Sequence, residues 1–312
     1  MQDGFNLYPL HVFRIVARHG SVTRAAQELC ISQPAVSSHL KKLGTHFREA
    51  LMERTPRGML LTPAGAAVVE HANRIFAALG DMSAAIDAAR GEVKGKITLA
   101  ASSTPGTYLV PRLLRRFQDR YPESESTLVI GDSREVLSWI HGYRVSLGVV
   151  GETVMDTALI REEIGQDELR LVVAPTDALS QVTEITGKHL SGRTLILREH
   201  GSSTRSSSET LLWSWIKDFA RVVEMSSTEA IKQSAAAGLG VAVLSSWATT
   251  LEEKAGLLAP VKDARMRRAR RFFLVRRADR PLVGIAAALW HCILTGPKTP
   301  ADGPGAACCN IP

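Results

Sequence analysis

Three short helical patterns occupy the first 43 residues, and only a tight turn separates the last two. Residues 7–18 place Leu7, Leu10, Phe13, Ile15 and Val16 mostly on one helical face, and Gly20 ends the pattern. Ser21 is a good N-cap for a second helix with Ala25, Ala26 and Leu29 on its buried side. Ser32 caps a third helix, which tolerates Pro34 in its first turn and turns Val36, Leu40 and Leu43 inward. Stripes this short cannot build separate cores. Packed together, they make a helix-turn-helix.

The next stretch, "ALMERTPRGMLLTPAG", reads as a hairpin. Thr55-Pro56-Arg57-Gly58 fits a type I turn, with Pro second and Gly fourth, between two short strands. A hairpin in this place makes the helix-turn-helix winged. Thr62 and Pro63 then open a long helix, a cap followed by Pro at the first helical position. Along it Val68, Ala72, Ile75, Leu79, Met82, Ile86 and Ala89 recur at steps of four and three, until Gly91 stops the helix. That is a heptad seam, expected to form a coiled coil with a second copy; the alternative is an amphipathic helix packed on its own domain.

From "KGKITLAAS" onward strand-like runs alternate with helical ones, which argues for α/β architecture with largely parallel sheets. The expected domains are 1–62 for the winged helix-turn-helix, 63–91 for the linker helix, 92–295 for a second, α/β half, and 296–312 for a Pro- and Gly-rich disordered tail. The longest strongly apolar run, "LVGIAAALWHCIL", is too short to span a bilayer, and the N-terminus lacks the pattern of a signal peptide. Cys30, Cys292, Cys308 and Cys309 have no metal-ligand spacing. The reading is a cytoplasmic chain in a reducing compartment, with no metal and no cofactor.

A helix-turn-helix sets the N-terminal residues of its second helix against base edges in the major groove. Here that end presents Ser32, Gln33, Pro34, Ala35, Ser37 and Ser38. Gln bonds adenine bidentately, Ser suits several bases, and Ala meets a thymine methyl. Lys41, Lys42, Arg54 and Arg57 suit phosphates, and Thr23 and Arg24 complete the expected DNA-binding set. Residues 1–62 carry eight Lys and Arg against four Asp and Glu, a local surplus of cations of the kind a nucleic-acid contact uses. The bland reading is a small helical domain that binds protein, with its charges solvated.

The residues now on the page resemble a family. "FRIVARHGSVTRAAQELCISQPAVSSHLKKL" followed by "ALMERTPRGMLLTPAG" looks like the DNA-binding end of LysR-type transcriptional regulators, with helix, turn, "SQPAVS", wing and "LTPAG" in the right order. The resemblance covers nearly the whole chain up to the tail. It implies a winged helix-turn-helix, a dimerising linker helix and a two-lobed α/β effector domain like type 2 periplasmic binding proteins. Lobe 1 is expected over about 92–163 plus 268–295, and lobe 2 over about 164–267. It also implies a homodimer or homotetramer on double-stranded promoter DNA carrying an interrupted palindrome, RNA polymerase as a partner, and no membrane. One departure is Gly44-Thr45-His46, where the family often has an acidic residue and continues toward "LGxxLF". A Gly there should loosen the end of the recognition helix.

In the effector half three segments stand out, each a strand feeding a helix through hydroxyl-rich residues: "AASSTPG", "HGSSTRSSS" and "MSSTEA". Helix N-termini offer free N–H groups and favour anions. The expected effector-binding residues are Ser102, Ser103, Thr104, Ser202, Ser203, Thr204 and Thr228, with Arg205 as the charge partner; the resemblance places the segments at one cleft. Plain helix capping is the alternative for each alone. "STPGTYLVPRLLRRFQDRYP", "REHGSSTR" and "MSSTEAIKQSAAAGLGVAVLS" resemble the subgroup of Calvin-cycle carbon-fixation regulators and their sulfite-reduction relatives. That implies a small anionic metabolite as effector and an activator of carbon fixation, with a sulfur regulator answering to an oxyanion as the alternative. Val145-Ser146-Leu147-Gly148 stands where the family often has an acidic residue, which weakens transfer of a specific ligand.

The basic run 262–277 reads as a loop and a strand returning to the first lobe with solvated arginines. Trp213, Trp215 and Trp247 read as core or interface, and Cys30 as a small buried filler. There is no G-x-S-x-G elbow, Walker loop, H-E-x-x-H or Rossmann fingerprint, so no catalytic residue is expected. The attached winged domain argues against a free solute-binding protein.

Overall fold

The computed structural model describes residues 5–56, 58–152 and 156–296. They divide between two compact units, one within 1–86 with 142–144, the other within 87–141 and 145–312. Arg57, the tail from 297, Cys308 and Cys309 lie outside the described residues.

In the first unit α1 (Leu7–His19), α2 (Val22–Leu29) and α3 (Gln33–Phe47) precede a hairpin of β1 (Met52–Thr55) and β2 (Gly58–Leu61), and α4 (Pro63–Ala89) follows. The caps explain the helix starts. The Ser21 hydroxyl accepts from the Arg24 N–H at 3.3 Å, and the Ser32 hydroxyl accepts from the Ala35 N–H at 3.3 Å. Thr62 accepts from the Gly65 N–H at 3.0 Å and donates to the Ala50 carbonyl at 2.7 Å, tying the start of α4 to the segment between α3 and β1. Val12, Ile15, Val16, Ala25, Ala26 and Val36 close one core cluster, and Leu10, Phe13, Leu43, Leu51 and Ala72 another.

Two local expectations need correction. α3 runs straight through Gly44 and ends at Arg48, whose φ is 55°. The glycine is used for a close approach: a Cβ there would lie 3.1 Å from the Glu49 carbonyl oxygen, because the chain folds back over this turn. Cys30 is exposed, not buried. It is the left-handed C-cap of α2, with φ 53°, at the tight turn itself.

The residues of the α4 seam divide. Val68 and Ala72 pack into the core of their own domain, whereas Ile75, Leu79, Met82 and Ile86 are 39%, 38%, 58% and 51% exposed on the single chain.

The second unit carries one sheet. β3 (Gly95–Ser102), α5 (Ser103–Tyr108), α6 (Val110–Arg120), β4 (Ser124–Gly131), α7 (Ser133–His141) and β5 (Leu147–Gly151) build its first lobe. β6 (Leu159–Val173) leaves it for the second lobe, which holds α8 (Gly187–Leu190), β7 (Thr194–Arg198), α9 (Ser203–Leu211), β8 (Arg221–Met225), α10 (Thr228–Ala236), β9 (Val241–Ser245), α11 (Ser246–Lys254) and β10 (Ala259–Pro260). β11 (Arg267–Arg277) returns, and α12 (Gly284–Thr295) closes on the first lobe.

The strand order is β4-β3-β5-β11-β6-β9-β7-β8, with β10 beside β6. β3 pairs in parallel with β4 and β5, and β7 in parallel with β8 and β9. The long strands β6 and β11 are antiparallel to each other, from Arg267 opposite Arg170 to Arg277 opposite Leu159. Each runs through the sequence-expected lobe boundary, so the two lobes share one continuous pair of strands. β5 and β9 are buried at every residue, as central strands covered on both faces must be. α9 ends at Leu211 and is followed by a turn and a short 3₁₀ segment at Ile216–Asp218. Trp247 is buried in the first lobe's core and Trp215 packs against the second lobe's core, but Trp213 in that turn is 84% exposed and belongs to no core.

Candidate functional site

The first unit presents a face built by α2, α3 and the hairpin. Ser32, Gln33, Pro34, Ser37, Ser38, Lys41 and Lys42 are exposed along α3, with Ala35 half-buried. Thr23, Gln33, Pro34, Ser37 and Arg54 share a groove of ≈ 920 Å³ between the start of α2, α3 and the wing. Arg24 is exposed on α2. Ser32 is on this face too, but its hydroxyl already accepts from the Ala35 N–H, so it acts as a cap.

The wing is anchored from behind. The Met59 N–H donates to the Gly20 carbonyl at 2.8 Å. A Cβ at Gly58, where φ is 125°, would lie 2.4 Å from that same oxygen. Only glycine lets the hairpin approach so closely, and the contact sets the distance from Arg54 to α3. Beside this face Glu28 is tied to Arg18 and to His19 Nε2, the latter at 2.6 Å. The His19 hydrogen bond, with Arg18 beside it, holds the Glu28 carboxyl below its ordinary range. An acid that is already paired opposes a phosphate less than a free one.

In the second unit the three hydroxyl-rich segments follow the C-terminal ends of β3, β7 and β8. Two buried arginines draw them together. Arg198, the last residue of β7, is 3% exposed. It donates from Nη2 to Ser103 Oγ at 3.0 Å and from Nη1 to Thr228 Oγ1 at 3.1 Å, and so joins a residue of each lobe. Glu199 takes its remaining edge: Nε and Nη2 each donate to a Glu199 oxygen at 2.7 Å.

Arg270, on β11, is completely buried against Asp167 of β6, at 2.7 Å. It also donates to Thr204 Oγ1 at 2.8 Å and Thr104 Oγ1 at 3.2 Å. Asp167 accepts from Ser245 at 3.0 Å and Ser246 at 3.2 Å. A buried cation needs such a partner and such hydroxyls, since an unpaired one would be expelled or would unfold its surroundings.

Other expected residues fare differently. Ser102 is 4% exposed, and its hydroxyl has no protein partner. Ser202 and Ser203 are buried at the start of α9, Ser203 against Gly151, where a Cβ would stand 2.3 Å from its Oγ. Arg205 is not a free charge partner. Its Nε bonds Glu209 at 2.5 Å, and its Nη1 bonds the Arg198 carbonyl at 2.9 Å and Glu224 at 3.4 Å. The basic run is likewise not all solvated: Arg270 within it is the most enclosed cation of the cleft, and Arg265 bonds Asp263 and the Ile185 carbonyl.

A groove of ≈ 1040 Å³ lies between α7 and α9, lined by Ser133, Arg134, Gly201, Ser203, Arg205 and Arg268 among others. Ser133 Oγ and Arg268 Nε are buried there without a hydrogen-bond partner. Ser133, Arg198, Asp167 and Arg270 were not among the residues expected from the sequence. Arg198 does begin the segment "REHGSSTR", yet an arginine that will be buried at a strand end has the same local pattern as a solvated one. Among the described residues no group of His, Cys, Asp or Glu could hold a metal ion, and no helix is long and apolar enough to cross a membrane.

Comparison with known proteins agrees with both halves. Residues 7–66 match the family model described as "Bacterial regulatory helix-turn-helix protein, lysR family", and residues 90–297 match "LysR substrate binding domain". The HTH-type transcriptional regulator CbbR of Rhodospirillum rubrum is 34% identical over 284 residues, covering 91% of this chain and 94% of that relative. The regulator CysL of Bacillus subtilis is 31% identical, covering 76% and 79%. Among solved structures, the CcmR regulatory domain of Synechocystis PCC6803 in complex with 2-PG is 27% identical with a TM-score of 0.59, covering 67% of this chain and all of that one.

Proposed function

The chain belongs to the LysR family of bacterial transcriptional regulators, and from that premise we propose that it activates carbon-fixation genes in response to a small anionic metabolite. It is a DNA-binding regulator and not an enzyme. Arg198 carries the effector reading: it is a buried guanidinium at the cleft, bonded to one hydroxyl from each lobe. An anion bound there gains a charge-assisted contact in a place from which water is largely excluded. The relative named CbbR and the CcmR domain bound to 2-PG support an anionic ligand from carbon metabolism. The relative CysL favours a second reading, a regulator of sulfur metabolism answering to an oxyanion.

On DNA, Gln33, Ser37 and Ser38 read base edges in the major groove, while Lys41, Lys42, Arg54 and Arg57 hold phosphates. Thr23, Arg24, Ser32, Pro34 and Ala35 complete the contact face. The exposed stripe Ile75, Leu79, Met82 and Ile86 supports pairing of α4 with that of a second copy, and hence a dimer that doubles to a tetramer in the cytoplasm. The effector alters the cleft, the spacing of the winged pairs and the DNA bend, which favours contact with RNA polymerase. A ligand shifts that balance only by its differential affinity for the two arrangements.

Footprinting upstream of the protein's own gene tests this. It would be run at physiological salt with phosphorylated sugars, NADPH and sulfur oxyanions. A protected interrupted palindrome that shortens with one compound is expected. Protection that none of them alters would refute the sensing, and an absence of sequence-preferring protection would refute the operator.

A further inference from the structure

The effector reading leaves one group unexplained, the carboxylate already lying on Arg198. A guanidinium offers its bidentate edge, Nε and one Nη, to carboxylates and phosphates. In Arg198 that edge is filled by the neighbouring residue: Nε and Nη2 each donate at 2.7 Å to Glu199 Oε2 and Oε1. Arg198 is 3% exposed, but Glu199 is 21% exposed and so has a route to solvent. Its side chain can rotate out without moving β7. Ser103 and Thr228 accept from Arg198, so each keeps an O–H to donate. The buried Ser102 hydroxyl next to Ser103 has no protein partner.

We propose that Glu199 is an internal place-holder for the effector. Its carboxylate occupies the anion-docking edge of Arg198, and the effector's oxyanion displaces it. The inference rests on the effector reading and adds an occupant, a receptor and a ligand class to it. The resting site is neutral, because the cation is never left buried alone. A simple carboxylate recovers only the two bonds that Glu199 gives up. A tetrahedral oxyanion, as in a phosphate monoester or a sulfur oxyanion, has further oxygens for the Ser103 and Thr228 hydroxyls. It also brings a second negative charge. Glu199 therefore acts as a filter that rejects monocarboxylates and admits tetrahedral dianions.

The test is calorimetric titration of the full chain with inorganic phosphate and, separately, acetate. Glu199→Gln keeps the side-chain length and removes the competing charge. It should bind phosphate at least about tenfold tighter than the wild type, since close charge pairs couple by at least that factor. Its preference for phosphate over acetate should narrow. Arg198→Lys, which keeps the charge but loses the fork, should lose phosphate binding by about tenfold or more. If Glu199→Gln does not fold, Glu199→Asp serves, because its side chain is one methylene shorter and cannot bring the carboxylate onto both donors; a smaller gain in phosphate affinity is expected.

Wild-type binding of phosphate with no gain in either Glu199 variant would overturn the place-holder and leave the effector reading intact. A failure of wild type and Glu199→Gln alike to bind phosphate would overturn both.

Discussion

Arg270→Met removes the cation from the most enclosed ion pair among the described residues. The side chains of Arg270 and Asp167 are both 0% exposed, and their nearest atoms are 2.7 Å apart. Without the guanidinium, Asp167 keeps the Ser245 and Ser246 hydroxyls but no cation among the described residues, and Thr104 and Thr204 lose this donor. Breaking a buried pair by removing one partner costs about 3–5 kcal/mol, because the other charge is left without compensation. In a unit of this size each kcal/mol moves Tm by roughly 2–4 °C, so the transition of the second unit should fall by roughly 6–20 °C. Differential scanning calorimetry of the full chain at pH 7 measures it. The double variant Asp167→Leu with Arg270→Met removes both charges and should cost less than the sum of the two single changes. A loss under about 1 kcal/mol for Arg270→Met, or additive losses in the double, would refute the pair as the tie between lobes and strands.

Four further outcomes are expected. Gln33→Ala should weaken operator binding by about 1–3 kcal/mol and spare non-specific DNA; equal losses on both, by titration at fixed salt, would exclude base readout by that residue. Gly65→Ala should destabilise the winged unit by at least about 1–3 kcal/mol in urea unfolding, because its Cβ would fall 1.8 Å from the Leu51 carbonyl oxygen. Burial, and then Arg14, hold the His11 pKa below its ordinary 6.5. The neutral ring is thus favoured in the fold, and its contribution is complete above 6.5 and lost as pH falls through the lowered folded value. His11→Gln should flatten the Tm profile of that unit between pH 7.5 and 5; an unchanged slope would exclude His11. Met82→Lys should weaken self-association in sedimentation equilibrium, since Met82 is the most exposed residue of the α4 stripe; unchanged association would exclude the stripe as an interface.

Much of the first unit was legible because its signals are local. A cap and its N–H lie three residues apart at Ser21–Arg24 and Ser32–Ala35, and the apolar steps of three and four along α1 to α3 do face the core. Glycine misled where its reason was distant: Gly44 reads as a weak helix end until the returning Glu49 carbonyl is seen beside it. Cys30 misled because composition says that a small thiol is buried, while the left-handed turn it occupies lies at the surface. In the second unit the hydroxyl-rich segments were visible, but not which of their oxygens cap helices, which bond arginines and which stay unpaired.

By itself the sequence determined the element types, the helix starts, the order of winged domain, linker helix and α/β half, and the family resemblance. Each of these depends on periodicity, or on residues a few positions apart. Only the tertiary structure decided which charges are enclosed. Arg270 meets Asp167 across 103 residues, and Arg198 meets Ser103 across 95. Nothing in the local pattern of "MRRARRFFLVRR" separates the buried Arg270 from its exposed neighbours. Whether a guanidinium is solvated or enclosed depends on which strands fold over it, and that is a property of the assembled sheet.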